Sequence, residues 1–81
     1  MKICFDNADE VWKFVNTIRK FDGEYDLAMG SYTVDAKSIL GVCALGTKKS
    51  LELKLVNPKG EENQLLTALH EYMVKNNGRR T

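Results

Sequence analysis

The chain is poor in the residues that usually build metal or redox sites. Its 81 residues include one histidine, one proline and two cysteines, Cys4 and Cys43. The cysteines show neither CxxC nor metal-ligand spacing, so the pattern predicts no metal site and no bound cofactor. We interpret both as reduced, buried, small apolar side chains of a cytoplasmic protein. A disulfide between them is the less favoured alternative.

The sequence also lacks an excess of charge of one sign and any long apolar run. Twelve basic residues face eleven acidic ones, for a formal net charge of +1. A nucleic-acid-binding protein would show a strong basic excess, so we expect no direct contact with nucleic acid. No apolar run approaches the ~20 residues of a membrane helix, and the opening "MKICFDNADE" is too acidic for a secretory signal. We expect one domain over residues 1–81, with 77–81 a frayed tail and no membrane contact.

Alternating and helical apolar patterns divide the chain into seven short elements. Ile3 and Phe5 share one face of a strand, and Val11, Phe14, Val15 and Ile18 share one face of a helix. The predicted elements, in chain order, are a strand at 2–5, a helix at 8–20, strands at 25–29 and 32–34, a helix at 38–45, a strand at 51–55 and a helix at 61–76. The order β-α-β-β-α-β-α predicts an α+β, two-layer sandwich, in which three helices cover one face of a four-stranded antiparallel sheet.

The segment "VDAKSILGVCALG", residues 34–46, combines a serine with a short apolar run. Ser38 precedes the run, where a serine hydroxyl caps free N–H groups at a helix start. The apolar residues cover most sides of the predicted helix, so we expect it to be largely buried, with Cys43 in the core. A nucleophilic role for Cys43 is the less favoured alternative, because a reactive thiolate needs exposure and a neighbouring cation.

Two other residues leave alternatives open. His70 lies at the boundary of the apolar stripe of the last helix, which favours a half-packed histidine over a phosphoryl acceptor. Trp12 lies at the edge of the first helix's stripe, where it either packs against the core or anchors a partner.

The element order and the residues "AKSILGV", followed two positions later by "LG", resemble the HPr family, the small phosphocarrier proteins of the bacterial sugar phosphotransferase system. The resemblance runs from about Phe14 to Met73, and its most specific part, "AKSILGV", is similar to the segment that carries a regulatory serine in HPr proteins of low-GC Gram-positive bacteria. It implies the HPr-like open-faced sandwich already predicted from the pattern.

The resemblance fails where the family carries its phosphoryl group. The family has an H-x-R-P pattern at the start of the first helix, and this chain reads "FDNADEVWKF" there. Asn7 falls at the histidine, Asp9 at the arginine and Glu10 at the proline. The preceding loop is also about half a dozen residues shorter than the family's. An asparagine is no phosphoryl nucleophile and the two acids repel phosphate, so we expect no carrier activity, no catalytic residue and no enzyme.

The same resemblance implies a regulatory role for Ser38. In the proteins that "AKSILGV" resembles, this serine is the target of a dedicated kinase/phosphorylase, and its phosphorylated form binds a LacI-type catabolite-control regulator. Lys37 and Lys49 would then add positive charge beside the phosphate. Apolar contacts to the partner would come from Ile39, Leu40 and Val42. The alternatives are a phosphocarrier with an unrecognised acceptor and an unswitched binding module.

Overall fold

The computed structural model describes residues 1–73, and the predictions for residues 74–76 and for the tail at 77–81 lie outside this range. The predicted order of elements is confirmed. The elements are β1 (Lys2–Ile3), α1 (Ala8–Ile18), β2 (Glu24–Met29), β3 (Tyr32–Asp35), α2 (Ile39–Leu45), β4 (Leu51–Asn57) and α3 (Glu62–Ala68), followed by a 3₁₀ turn, His70–Tyr72.

The four strands form one antiparallel sheet in the order β1-β4-β2-β3. Leu27 of β2 lies opposite Leu53 of β4 on one side and Val34 of β3 on the other. Strands β2 and β3 are joined by a two-residue turn in which Gly30 has a φ of +59°, a conformation that glycine adopts without steric cost. The alternation of side chains places Leu27 and Leu53 on the core face, beneath the helices.

The core joins the buried face of the sheet to the apolar stripe of α1. The four residues predicted for that stripe, Val11, Phe14, Val15 and Ile18, are all buried. Phe5 and Tyr72 contact the Phe14 ring edge to face, with centroids 5.0 and 5.7 Å from it. This aromatic cluster holds together the segment before α1, α1 itself and the turn after α3.

The last helix is shorter than the sequence predicts. Helix α3 ends at Ala68, and the chain then tightens into the 3₁₀ turn that contains His70. The prediction of one continuous helix to residue 76 is therefore wrong. Tyr72 turns into the aromatic cluster, and Met73 becomes extended and pairs with Ile3 at the edge of the sheet. Pairing with the sheet edge ends the helix, because an extended Met73 cannot continue its hydrogen-bond ladder.

The Glu61 carboxylate, just before α3, binds the loop that leads into β2. Its Oε1 accepts from the Asp22 N–H at 3.1 Å, and its Oε2 accepts from the Gly23 N–H at 2.7 Å and from the Tyr25 hydroxyl. We call this set of contacts the Glu61 knot. Gly23 has no room for a side chain, because a Cβ there would lie 2.5 Å from the Tyr25 hydroxyl oxygen. Burial acts to raise the pKa of Glu61, but the hydrogen bonds from Tyr25, Gly23 and Asp22 hold that pKa below its usual value.

Removing the Tyr25 hydroxyl tests the Glu61 knot. Tyr25 is 1% exposed, so we expect Tyr25→Phe to lower the free energy of unfolding by about 1–2 kcal/mol at pH 7. Because the folded-state pKa of Glu61 is lowered, the stabilisation is present above the unfolded-state pKa of about 4.3 and is lost as pH falls through the folded-state pKa. Urea denaturation between pH 7 and pH 2 measures both effects. A cost that stays constant down to pH 2 would contradict the role of the Glu61 charge. Tyr32→Phe is the control, since Tyr32 is 70% exposed and should give no change.

Candidate functional site

Asn7 begins α1 as its cap. Its side-chain oxygen accepts from the Glu10 N–H at 3.0 Å, and the Glu10 carboxylate in turn accepts from the Asp6 N–H at 2.8 Å. The arrangement is similar to a capping box, except that the Glu10 carboxylate accepts from the residue before the cap and not from the Asn7 N–H. The Asn7 side chain is exposed, and its amide has no nucleophilic nitrogen that could accept a phosphoryl group.

The surface around Asn7 is acidic. Asp6 and Asp9 are exposed and Glu10 is half-buried. The nearest cation on the helix is Lys13, whose ammonium lies 3.0 Å from Asp9, and the hydrogen bond to Asp9 raises the Lys13 pKa. Arg19, the one arginine among residues 1–73, lies just beyond the opposite end of α1. The start of this helix therefore presents negative charge to any approaching phosphate.

Ser38 is the cap of α2, as predicted. Its φ and ψ of −97° and 112° are extended, and its Oγ accepts from the Gly41 N–H at 3.2 Å. Its backbone oxygen accepts from the Val42 N–H, which is the first hydrogen bond of the helix. The residue is half-buried.

Two cations belong to or bind the segment that precedes Ser38, and each is held by a backbone oxygen. The Lys37 ammonium donates to the Phe21 carbonyl, and the Arg19 Nε donates to the Lys37 carbonyl at 2.8 Å. Among residues 1–73 the ion pairs within 4.0 Å are the Met1 ammonium with Glu52 and Lys13 with Asp9, so neither cation has a carboxylate that close. The prediction that Lys49 lies near Ser38 is wrong: its ammonium lies beside Gly46, at the opposite end of α2.

Helix α2 exposes one apolar side. Leu40 is 81% exposed and Cys43 is also exposed, whereas Val42 and Leu45 are buried and Ile39 is half-buried. The predictions of a largely buried helix and of a core Cys43 are therefore wrong, and Cys4 is only half-buried. The physical reason is that α2 packs against the core only along the side that carries Val42 and Leu45, so its opposite side faces solvent. Of the four residues predicted to meet a partner, Leu40 is accessible, Lys37 and Ile39 are partly accessible and Val42 is not.

The remaining candidates do not assemble into a reactive centre. His70 is exposed in the 3₁₀ turn, beside a shallow depression that it shares with Leu66, Thr67 and Met73. Trp12 is 55% exposed. Over residues 1–73 no three histidine, cysteine or acidic side chains are grouped closely enough to hold a metal ion. None of the helices in that range is both long and apolar enough to cross a membrane.

Comparison with known proteins identifies the family. The family model described as "PTS HPr component phosphorylation site" matches residues 7–75, a span that includes both helix caps, Asn7 and Ser38. The chain therefore belongs to the HPr family, whose members are phosphocarrier proteins of the phosphotransferase system. No solved structure matches the chain.

Replacing Ser38 tests its role as a cap. We expect Ser38→Ala to lower the free energy of unfolding by about 1 kcal/mol, because the Gly41 N–H loses its side-chain acceptor. Ser38→Asp should cost less, since aspartate also caps and its charge suits a helix start. Thermal or urea denaturation gives the comparison. The control Ser31→Ala, in the exposed hairpin turn, should change stability by less than about 0.5 kcal/mol. Equal stability of Ser38→Ala and the wild type would refute the cap.

Proposed function

We propose that this HPr-family chain is a regulatory interaction protein that is switched by phosphorylation of Ser38 and does not carry phosphate on a histidine. The observation that carries the proposal is the contrast between the two helix starts. The start of α1 is capped by Asn7 and surrounded by three acidic residues. The start of α2 is capped by Ser38 and has two cations and the exposed Leu40 nearby. In this proposal the protein catalyses no reaction and acts in the cytoplasm.

Loss of the carrier activity follows from the chemistry at the start of α1. A phosphocarrier needs an imidazole nitrogen as nucleophile and a cation to hold the transferred anion. In the alignment proposed above, Asn7 replaces the histidine and Asp9 replaces the arginine. Asp9 pairs with Lys13 at 3.0 Å, so the nearby ammonium is already partly neutralised.

Phosphorylation at Ser38 is supported by the local charge and by an exposed apolar residue two positions further along. In the proposed reaction Ser38 Oγ bonds to the γ-phosphorus of ATP, the bond to ADP breaks, and a base of the kinase takes the hydroxyl proton. The product carries a charge of about −2 beside Lys37 and Arg19. Two residues further along, Leu40 offers an exposed apolar contact. The partners we propose are an HPr-type serine kinase/phosphorylase and a LacI-type catabolite-control regulator.

One observation favours a second candidate function. His70 is the only histidine of the chain and its side chain is exposed, so a phosphoryl-transfer enzyme could reach it. In that case the protein would remain a phosphocarrier with a displaced acceptor. His70 begins a 3₁₀ turn and forms no side-chain hydrogen bond with residues 1–73, so no cation or base positions it for transfer.

Two labelling reactions separate the candidates. With ATP and the HPr-type serine kinase, we expect label on Ser38 alone, and Ser38→Ala should abolish it. With phosphoenolpyruvate and the general phosphotransferase enzyme, we expect no acid-labile phosphohistidine. Mass spectrometry locates any label. Stoichiometric label on His70 would support the displaced carrier, and absence of label in both reactions would support an unswitched binding module.

A gain-of-function variant tests the loss of carrier activity. Asn7→His alone should not restore transfer from the general phosphotransferase enzyme, because the short loop, Asp9 and Glu10 remain. Phosphohistidine formation in that single variant would show that the loop and the acids are no obstacle.

Two substitutions on α2, one of an exposed residue and one of a buried residue, test whether the exposed Leu40 contacts the regulator. Leu40→Ala should leave stability unchanged, because the side chain is 81% exposed, and should weaken binding of the phosphorylated protein to the regulator about tenfold. Val42→Ala should lower the free energy of unfolding by about 2 kcal/mol, because Val42 is fully buried, and should bind normally once folded. Urea denaturation and titration calorimetry measure the two effects. Normal binding of the regulator by the Leu40→Ala variant would show that Leu40 is not part of the binding surface.

A further inference from the structure

Among residues 1–73, Lys37 is the only cation that lines a cleft rich in acidic residues. The cleft holds about 320 Å³ and lies where the loop after α1 meets the segment after β3. Four carboxylates line it, from Asp22, Glu24, Asp26 and Asp35. Asp26 and Asp35 lie directly opposite each other on β2 and β3, an arrangement in which like charges repel. The Lys37 ammonium is therefore the counter-charge of this cleft.

The same ammonium holds the loop in place. Lys37 Nζ donates to the carbonyl of Phe21. The next two residues, Asp22 and Gly23, donate their N–H groups to Glu61 in the Glu61 knot. The Lys37 charge also helps to keep the pKa of Glu61 low, although less than the hydrogen bonds do. One side chain thus links the segment that contains Ser38 to the Glu61 knot.

We propose that Lys37 is a positioning residue that couples Ser38 to the loop at 21–23: a phosphate on Ser38 draws the Lys37 ammonium away from the Phe21 carbonyl and loosens the Glu61 knot. This inference rests on the proposed function in that Ser38 is the phosphorylated residue. It adds a conformational consequence of that modification, at the opposite end of the Lys37 side chain.

The phosphate on Ser38 and the Phe21 carbonyl compete for the Lys37 ammonium, and the chemistry of the two acceptors favours the phosphate. A phosphate dianion is a stronger acceptor for an ammonium than a neutral carbonyl, and lysine is a flexible point charge that can change partners. Among residues 1–73 no carboxylate lies within 4.0 Å of the Lys37 ammonium, and the nearby Asp35 carboxylate accepts instead from the Lys37 backbone N–H at 2.9 Å. When the ammonium leaves, Phe21 loses its donor and the four carboxylates lose their counter-charge, and both changes destabilise the loop.

Amide hydrogen exchange measured by NMR tests the coupling. The protein is made with phosphoserine at position 38, installed by chemical synthesis, and compared with the unmodified protein. The Asp22 and Gly23 amides should exchange about fivefold faster in the phosphorylated form, in line with a weakened charge-assisted hydrogen bond. The Leu27 amide, inside the central strand, should not change. Unchanged or slower exchange at Asp22 and Gly23 would overturn the proposal.

Lysine variants establish whether Lys37 carries the effect. In Lys37→Met, the two amides should exchange fast with or without the phosphate, whereas Lys37→Arg should restore the response because it keeps a cation in place. Lys49→Met is the matched control, since Lys49 lies at the other end of α2, and it should respond like the wild type. A full response to phosphate in Lys37→Met would overturn the proposal.

The experiments distinguish a failure of the proposed phosphorylation switch from a failure of the proposed coupling through Lys37. Because the phosphate is installed chemically, absence of kinase labelling would refute the proposed function and leave the coupling measurable. Labelling of Ser38 with unchanged loop exchange would refute the coupling alone.

Discussion

Strands β2 and β4 pair at five positions, from Glu24 with Asn57 to Ala28 with Glu52, and the rest of the structure depends on this pairing. It aligns Leu27 and Leu53 on one face, and that face forms the core together with the apolar sides of the three helices. A chain of 81 residues has a small core, so each helix must bury its apolar side on this one sheet.

The two caps use the same backbone chemistry for different surroundings. In both, a side-chain oxygen accepts the N–H group three residues further along, from Glu10 for Asn7 and from Gly41 for Ser38. The first cap is surrounded by carboxylates, and the second lies beside two cations that have no carboxylate within 4.0 Å among residues 1–73. The charge of the neighbouring side chains therefore differs between the two positions, and it supports the proposed loss of carrier activity at Asn7 and the proposed phosphorylation of Ser38.

Much of the fold could be predicted because the patterns in the sequence are local. Helix α1 has a complete apolar stripe, and its predicted start agrees with the structure, although the helix ends at Ile18 and not at residue 20. The exposure of Leu40 and Cys43 could not be predicted in the same way, because nearly every residue of α2 is apolar and the pattern shows no polar side. The spacing of Leu40 and Cys43, three positions apart and out of phase with Val42 and Leu45, was the available signal.

Other features depend on contacts between residues far apart in the chain. The end of α3 is set by Tyr72, which packs against Phe5, and by Met73, which pairs with Ile3. The hydrogen bond from Lys37 to Phe21 spans sixteen positions and has no local signature. Sequence periodicity carries no information on such contacts, so the Glu61 knot and the acidic cleft were visible only in the folded chain.

The position of β3 at one edge of the sheet limits how partners can bind. An edge strand can recruit another chain by adding a strand to the sheet, but β3 has only four residues, ends in the charged Asp35 and leads at once into α2. The opposite edge is covered by Met73, which pairs with β1. Both features disfavour strand addition, which agrees with the proposed recognition through side chains of α2. Such contacts can be broken by a single added charge without unfolding either protein, which suits reversible association.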